Sequence, residues 1–228
     1  MGGQVSRLSG WAVFDLDGTL VDTLGEITDA LNRVLEGHQR RSLSREEVMT
    51  LVGHGPNTLI ARAWSATGAK AGKDEILGIS NEYFREYQRN ARGASRPYPG
   101  VHEGLQRLIQ RGWKLGVCTN KDGTAARSLI RKLGWGDWIR VVVSGDETVR
   151  KPDPRPLKLA LKRMGAGSGR HLFVGDSEVD LQTAQNASVE AVFVRHGYGE
   201  MGRFRSRCFD DAVEMFRWMA QSGPARSG

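Results

Sequence analysis

Aspartates recur in this chain where a carboxylate could do chemistry. Asp15 and Asp17 stand in Phe14-Asp15-Leu16-Asp17-Gly18-Thr19-Leu20, directly after the apolar run Trp11–Phe14. Asp176 and Asp180 bracket Ser177 just after the run Leu172–Val174 and Gly175. Thr119 and Asn120 follow the run from Leu115 to Cys118. Lys151, in Arg150-Lys151-Pro152-Asp153-Pro154, follows Val141–Val143 past a loop. Each fragment has an ordinary reading on its own. Asp-Gly is a common turn, and Ser177 with Asp180 can open a helix as a capping box. Their shared position, each beyond an apolar run, is what sets them apart. Carboxylates gathered at one edge with an ammonium are costly to desolvate unless they meet a cation and an anionic ligand. The set suits a divalent metal beside a phosphate.

The elements that must hold these residues can be read from hydrophobic patterning. The runs at 11–14, 115–118, 141–143, 172–174 and 191–194 are continuous rather than alternating, as in strands buried on both faces. Helical patterns separate the later runs: Val101 to Gln110 before Gly112, Thr124 to Leu133 before Gly134, and Pro156 to Met164 before Gly165. Glycine just past the last apolar turn is a helix stop. Strand and helix in alternation predict an α/β fold, a parallel sheet with helices on both faces. Ligands of such sheets bind at the carboxyl ends of the strands, where the residues named above fall. From about Leu24 to Arg96 the rhythm breaks. Ile27, Leu31, Val34 and Leu35 form one helical stripe, Val48, Leu51 and Val52 another, and 61–64 and 76–87 continue in kind. The expected organisation is a core of residues 1–22 and 97–228 with an inserted small helical cap of residues 23–96. The tail from Ser222 to Gly228 is expected to fray.

Composition excludes several classes. Among 228 residues, 33 Lys and Arg outnumber 26 Asp and Glu, giving +7, a balance compatible with anionic small substrates. The densest basic run, Arg203, Arg205 and Arg207, has one interleaved aromatic, Phe204, and is followed by Asp210 and Asp211. It reads as a solvated face, and no nucleic-acid partner is expected. No apolar run approaches the ~20 residues of a membrane span, and Met1 to Gly10 has no apolar stretch of signal-peptide type. Cys118 and Cys208 are far apart with no CxxC or zinc spacing. A reducing, cytoplasmic setting is expected, with no membrane partner.

Taken in order, these motifs resemble those of the haloacid dehalogenase superfamily of phosphohydrolases. The first is Asp15 to Thr19, the second Thr119, the third Lys151 and the fourth Gly175 to Asp180. The segments around Gly53-His54-Gly55, Pro97–Val101, Thr119-Asn120-Lys121, Lys151-Pro152-Asp153-Pro154 and Gly175-Asp176-Ser177 are similar to those of bacterial phosphoglycolate phosphatases. The resemblance implies a Rossmann-like core with the smaller helical cap, a Mg²⁺ cofactor and an aspartyl-phosphate intermediate. It implies hydrolysis of a small phosphate monoester, 2-phosphoglycolate first. The alternatives are another small phosphorylated metabolite, a phosphosugar mutase, and a non-catalytic binding protein on the same fold, against which the intact motif set argues. A dehalogenase is disfavoured, because that branch lacks the second Asp of the first motif. Gly53-x-Gly55-x-x-Thr58 half-mimics a dinucleotide fingerprint, but its third Gly is missing and a helix precedes it.

The roles follow. Asp15 is the expected nucleophile, since a carboxylate attack splits hydrolysis into two steps. Asp15, Asp176 and the Asp17 backbone carbonyl are the expected metal ligands, an all-oxygen set that favours Mg²⁺. Asp17 is the expected acid and base. Gly18 would bring its amide near the phosphate, Thr119 and Asn120 would bind it, and Lys151 would neutralise its charge. Asp180 either holds Lys151, tunes the metal with Ser177 from behind, or caps its helix. His54, between two glycines, is either a leaving-group contact or a surface loop residue. Arg62, further along the same insert, is either a contact for a substrate carboxylate or, as the simpler reading, a solvated residue. Arg195, His196 and Tyr198 are rim candidates, and Trp113, Trp135 and Trp138 read as packing. A monomer or homodimer is expected.

Overall fold

Apolar runs too continuous for a one-sided sheet fold here as strands covered on both faces. The computed structural model describes residues 10–90 and 94–222. The chain passes through strands β1 (Gly10–Phe14) and β2 (Val21–Asp22) into helices α1 (Leu24–Gly37), α2 (Arg45–Met49), α3 (Pro56–Thr67) and α4 (Lys73–Asn90). It returns through β3 (Arg96–Pro97), α5 (Val101–Gln110), β4 (Lys114–Cys118), α6 (Gly123–Lys132) and β5 (Ile139–Val143). It closes with α7 (Arg155–Arg163), β6 (Arg170–Gly175), α8 (Glu178–Ala187), β7 (Glu190–Val194), β8 (Arg207–Phe209) and α9 (Ala212–Ser222).

The main sheet has the order β5-β4-β1-β6-β7-β8, and its pairings are parallel. β1 lies at its centre with all five residues buried. Its side chains alternate between faces, as the period of a strand requires. Ala12 and Phe14 pack with α5, α6 and α9, through residues such as Leu105, Ile130 and Phe216. Trp11 and Val13 pack with α7 and α8, through Leu157, Leu161 and Ala184. Trp113 and Trp135 are buried in the first of these layers and Trp138 lies against it, so all three serve packing. After β1 the chain goes to β4 on one side, and later crosses back to β6 on the other. That reversal opens a crevice at the carboxyl end of β1.

Helices α1 to α4 enclose a separate apolar cluster. The α1 stripe of Ile27, Leu31, Val34 and Leu35 packs there with Trp64 of α3 and with Tyr83 and Tyr87 of α4. The predicted second stripe is shorter than expected. α2 ends at Met49, and Leu51 and Val52 lie in the turn beyond it, where the backbone reaches φ +109° at Gly53. The two passages between sheet and helices run side by side, because β2 and β3 pair antiparallel, Val21 with Pro97 and Asp22 with Arg96.

The basic run at 203–207 is only partly a solvated face. Arg207 begins β8, and its guanidinium stacks 4.8 Å from the Trp218 ring of α9. A short charged edge strand resists pairing with another chain. No described helix is long and apolar enough to cross a membrane. Residues 1–9, and the tail beyond Ser222, lie outside the described residues.

Candidate active site

The strand ends deliver most of the expected residues to one place. The amide of Asp15 donates to the Val174 carbonyl at 2.9 Å, which extends the β1–β6 ladder by one residue and fixes its direction. Asp15 Oδ1 lies 2.9 Å from Lys151 Nζ, and the same ammonium lies 2.7 Å from Asp180 Oδ1. Lys151 is only 3% exposed. Its main chain is held as well. Its amide donates to Asn120 Oδ1 at 2.9 Å, and its carbonyl accepts from Asn120 Nδ2 at 3.2 Å. Asn120 Nδ2 also donates to the Gly53 carbonyl at 2.9 Å, joining the loop after β4 to the helical insert. Asp180 fills two of the roles left open by sequence. It pairs with Lys151, and with Ser177 it forms the capping box that starts α8. Its Oδ2 accepts from Ser177 Oγ at 2.6 Å.

Asp176 stands opposite, buried at 3% exposure. Its Oδ1 accepts from Thr19 Oγ1 at 2.6 Å and its Oδ2 from the Tyr198 amide at 2.8 Å. Gly18 makes room for this carboxylate. Its φ is +82°, and a Cβ there would lie 2.5 Å from Asp176 Oδ2. Its amide is not open toward a phosphate as expected, because the tight turn directs it onto the Val21 carbonyl at 2.9 Å. Thr119 is buried, and its Oγ1 accepts from the Lys121 amide at 3.3 Å. The hydroxyl proton is then available to an anionic oxygen.

Burial dominates the electrostatics. Desolvation pushes the Asp15 carboxyl up to about 6, against the pull of Lys151, with Asp180 and Asp17 adding repulsion. Desolvation likewise pushes Asp176 up to about 7, reinforced by Asp180 and Asp15 and opposed by its bonds from Thr19 and Tyr198. Burial alone would lower Lys151, but the charges of Asp15 and Asp180 outweigh it and hold it above the ordinary lysine range.

This crowding fits a hard divalent cation. Oxygens of Asp15, Asp176 and Asp180 all lie within 4.8 Å of one another, and Asp15 Oδ1 has no hydrogen-bond partner beyond its ion pair. Four carboxylates and the ammoniums of Lys151 and Lys121 leave a formal charge of −2, which one such ion would cancel. The side chain of Asp17 is not part of the acidic cluster, because Lys121 and Thr23 draw it away. Asp180 is part of it, but its oxygens are engaged by Lys151 and Ser177.

Lys121 is the main residue the sequence reading left without a role. Its Nζ meets Asp17 Oδ1 at 3.0 Å and Oδ2 at 3.2 Å. Thr23 Oγ1 donates to the same carboxylate at 2.8 Å. The ammonium sits 4.4 Å above the Tyr87 ring. Burial would lower Lys121, but Asp17 and then Tyr87 and Tyr83 hold it above the ordinary range. A second omission is the Tyr198 hydroxyl. It accepts from the amides of Thr23 at 2.6 Å and Leu24 at 2.9 Å, at the start of α1.

A cavity of about 90 Å³ lies between these groups and the helical insert. That is room for a small ester or a handful of waters. Asp15, Asp17, Thr119, Asn120, Asp176 and Ser177 line it on the sheet side. Gly53 and Gly55 line it on the other side, but His54 between them does not. The positive φ of both glycines turns their backbone toward the cavity, and the His54 side chain is left off its wall. Arg62 is exposed and off the wall, as the simpler reading has it. Of the rim candidates only Tyr198 lines the cavity. His196 bonds the Thr19 carbonyl at 3.0 Å, and Arg195 pairs with Asp210 at 3.0 Å.

Comparison with known proteins agrees with this geometry. Residues 12–194 match the family model described as haloacid dehalogenase-like hydrolase. The phosphoglycolate phosphatase of Rhodospirillum rubrum is 37% identical, with 95% of this chain and 94% of that protein aligned. The N-acetylmuramic acid 6-phosphate phosphatase of Pseudomonas aeruginosa is 32% identical, with 82% of this chain and 81% of that protein aligned. The crystal structure of a predicted phosphoglycolate phosphatase from Haemophilus somnus superposes with a TM-score of 0.81 at 28% identity, covering 92% of this chain and 96% of that one.

Proposed function

The chain belongs to the haloacid dehalogenase-like hydrolase family as a phosphoric monoester hydrolase, and from that premise we propose that it hydrolyses 2-phosphoglycolate through a phosphoryl group carried on Asp15. The observation that carries this reading is the Asp15–Lys151–Asp180 chain of contacts at 2.9 and 2.7 Å beside Asp176. The names of the relatives from Rhodospirillum rubrum and Haemophilus somnus support the substrate.

Asp15 attacks phosphorus from a direction set by its strand. Lys151, held behind Asp15 and off the cavity wall, offsets the charge that the attacking carboxylate shares with the phosphoryl group. Thr119 donates its hydroxyl proton to a phosphoryl oxygen, while Asn120 holds Lys151 and the insert loop at the right spacing. Gly18 acts through its turn, by admitting Asp176. Asp17 protonates the departing alkoxide and then takes a proton from the water that cleaves the acyl phosphate. Asp15 and Asp176, with the carbonyl of Asp17, would hold Mg²⁺. When bound, that ion neutralises charge between the nucleophile and the phosphate. Asp180 and Ser177 position Lys151 from behind. Residues 23–96 act as a cap that excludes water from this chemistry over a core of 1–22 and 97–228. The free cysteines Cys118 and Cys208 support a reducing, cytoplasmic setting.

The test is release of inorganic phosphate, with Mg²⁺, from a panel holding 2-phosphoglycolate, N-acetylmuramic acid 6-phosphate and hexose phosphates. Highest kcat/KM on 2-phosphoglycolate is the expected result. Preference for a larger ester would replace the substrate but keep the chemistry. Isomerised sugar phosphate without phosphate release would make the protein a mutase.

A further inference from the structure

Among the residues that line the cavity, Lys121 is the single basic side chain. Lys151 is enclosed behind Asp15, and Arg62 and Arg195 lie elsewhere. Among the described residues, the wall facing the sheet carries no other charged side chain, with Ile27, Val52, Pro56, Leu59, Tyr83 and Phe84 beside the backbone of Gly53 and Gly55. A ligand that carries charge beyond its phosphate therefore has one cation to meet.

That cation has a place in the geometry of the reaction. The group that protonates the leaving oxygen must touch it, and Lys121 Nζ lies 3.0 Å from the carboxylate assigned to that task, Asp17. A carboxylate on the carbon that bears the ester oxygen is two bonds from that oxygen. When the ester oxygen approaches Asp17, such a carboxylate arrives beside the ammonium. Lys121 has three donors; among the described residues its one ion-pair partner is Asp17, and its remaining polar partner is the neutral Tyr87 hydroxyl, which an anion can displace. Its position over Tyr87 and under the insert keeps it from bulk water, where a charge pair would be weakened by solvent.

We infer that Lys121 is the specificity-determining residue of this site, and that it reads a carboxylate adjoining the ester carbon of the substrate. This rests on the phosphatase reading above and sharpens it to one chemical class, phosphate esters of 2-hydroxy carboxylic acids. The substrate carboxylate shares the ammonium with Asp17, loosens the hold on Asp17, and so turns the Asp17 oxygen toward the ester oxygen only when the right leaving group is present. A polyhydroxylated leaving group meets a wall that is mostly apolar apart from the Gly53 and Gly55 backbone and two tyrosines, where most of its hydroxyls lose water without a charged partner.

The experiment compares kcat/KM for 2-phosphoglycolate and for ethyl phosphate, which replaces the carboxylate by a methyl group. It uses the full-length protein and its Lys121→Met and Lys121→Arg variants, each checked for a cooperative melt. In the unmodified protein the ratio should favour 2-phosphoglycolate by about 10²–10³, the scale for pairing a charge with a desolvated partner. In Lys121→Met the ratio should fall toward unity, and in Lys121→Arg most of it should survive. A ratio near unity in the unmodified protein overturns the inference whether or not the variants fold. So does a ratio that Lys121→Met leaves unchanged, since a residue that merely steadies Asp17 would slow both esters alike. Phosphate release from no ester on the panel would instead overturn the phosphatase reading itself, and this inference with it.

Discussion

Two lysines stand within one site and are held in opposite ways. Lys151 is clamped between Asp15 and Asp180, its backbone is bonded on both sides by Asn120, and its side chain is 1% exposed. Lys121 has one carboxylate, Asp17, an aromatic floor in Tyr87, and a face on the cavity. The first arrangement leaves the ammonium nowhere else to go. The second leaves it able to share its charge with whatever enters. A charge that must meet every substrate in the same way gains from over-determination, because preorganised groups need no rearrangement as charge develops. A charge that must tell substrates apart gains from being unsaturated. The boundary between these two demands runs between Asp15 and Asp17, two residues apart.

The comparison breaks most completely at the nucleophile. Asp15→Asn retains the shape of the site and should lower turnover by at least ~10⁴-fold, because no other carboxylate stands at the end of β1 in its place. Phosphate release from 2-phosphoglycolate by the folded variant measures it, and near-normal turnover would sink the assignment. Removal of divalent metal should have a comparable effect on the unmodified protein. Activity should vanish with a strong chelator, return with Mg²⁺ and return poorly with Ca²⁺, whose larger and looser shell misplaces nucleophile and phosphate. Full activity of metal-free protein would overturn that reading.

Asp17→Asn tests the other side of the boundary. It removes the acid and base but keeps the backbone carbonyl. Turnover of alkyl esters should fall by about 10²–10⁴-fold, the usual share of proton transfer. An activated aryl phosphate, whose leaving group needs no proton, should still phosphorylate Asp15. Mass spectrometry after rapid mixing should then find a phosphorylated species that is absent when Asp15→Asn is combined with it. Phosphate on Ser177 or Thr119 would refute the division of labour.

Stability should separate the lysines too. Asp180→Asn leaves Lys151 with Asp15 but removes one of its two buried counter-charges and weakens the cap of α8, so a loss of about 1–3 kcal/mol is expected. Lys121→Met leaves a half-buried Asp17 that still has Thr23, and should cost less. Denaturant unfolding of both variants checks the order, and equal losses would remove the distinction between a clamped and an open charge.

The clamped half was the more legible in sequence. Asp15, Asp176, Lys151 and Thr119 each follow a strand announced by a continuous apolar run, so topology alone brings them together. Asp180 could be placed near Lys151 for the same reason. The open half was less legible, because its partners come from elements with no fixed register in the pattern. Lys121 was visible beside Thr119-Asn120, but its tie to Asp17 depends on how α4 brings Tyr83 and Tyr87 over it. His54 looked exposed between glycines, yet those glycines turn the backbone, not the imidazole, to the cavity. β8 and α9 were missed because a three-residue strand starting at Arg207 has no run to detect, and its pairing with β7 is settled by tertiary contact. The Tyr198 hydroxyl lies 175 residues from its partner Thr23, and no local pattern announces such a bond.

That hydroxyl gives the smallest and most diagnostic effect. Helix α1 begins at Thr23, whose side chain would ordinarily cap it. Here no side-chain cap bond to Thr23 is made; its side chain is turned toward Asp17, to which the hydroxyl donates. Tyr198 serves other amides at this helix start by accepting from Thr23 and Leu24, and it donates to Asp22 Oδ1 at 3.0 Å. Its own amide meanwhile bonds Asp176. One residue thus ties the acidic cluster to the first passage into the helical insert. Tyr198→Phe keeps the ring and the amide bond and removes only the hydroxyl. The loss should be about 1–2 kcal/mol, the scale of a missing helix cap, and the melting temperature should drop by several degrees. The Leu24 amide then keeps Asp22 Oδ1 at 3.1 Å, and Thr23, at the N-cap position, is the further side chain able to cap α1, so it is drawn away from Asp17. A fall of a few-fold in kcat for alkyl esters should follow, with no matching fall for an activated aryl ester. A variant that loses stability but treats both ester classes alike would show that Tyr198 anchors the helix without reaching Asp17.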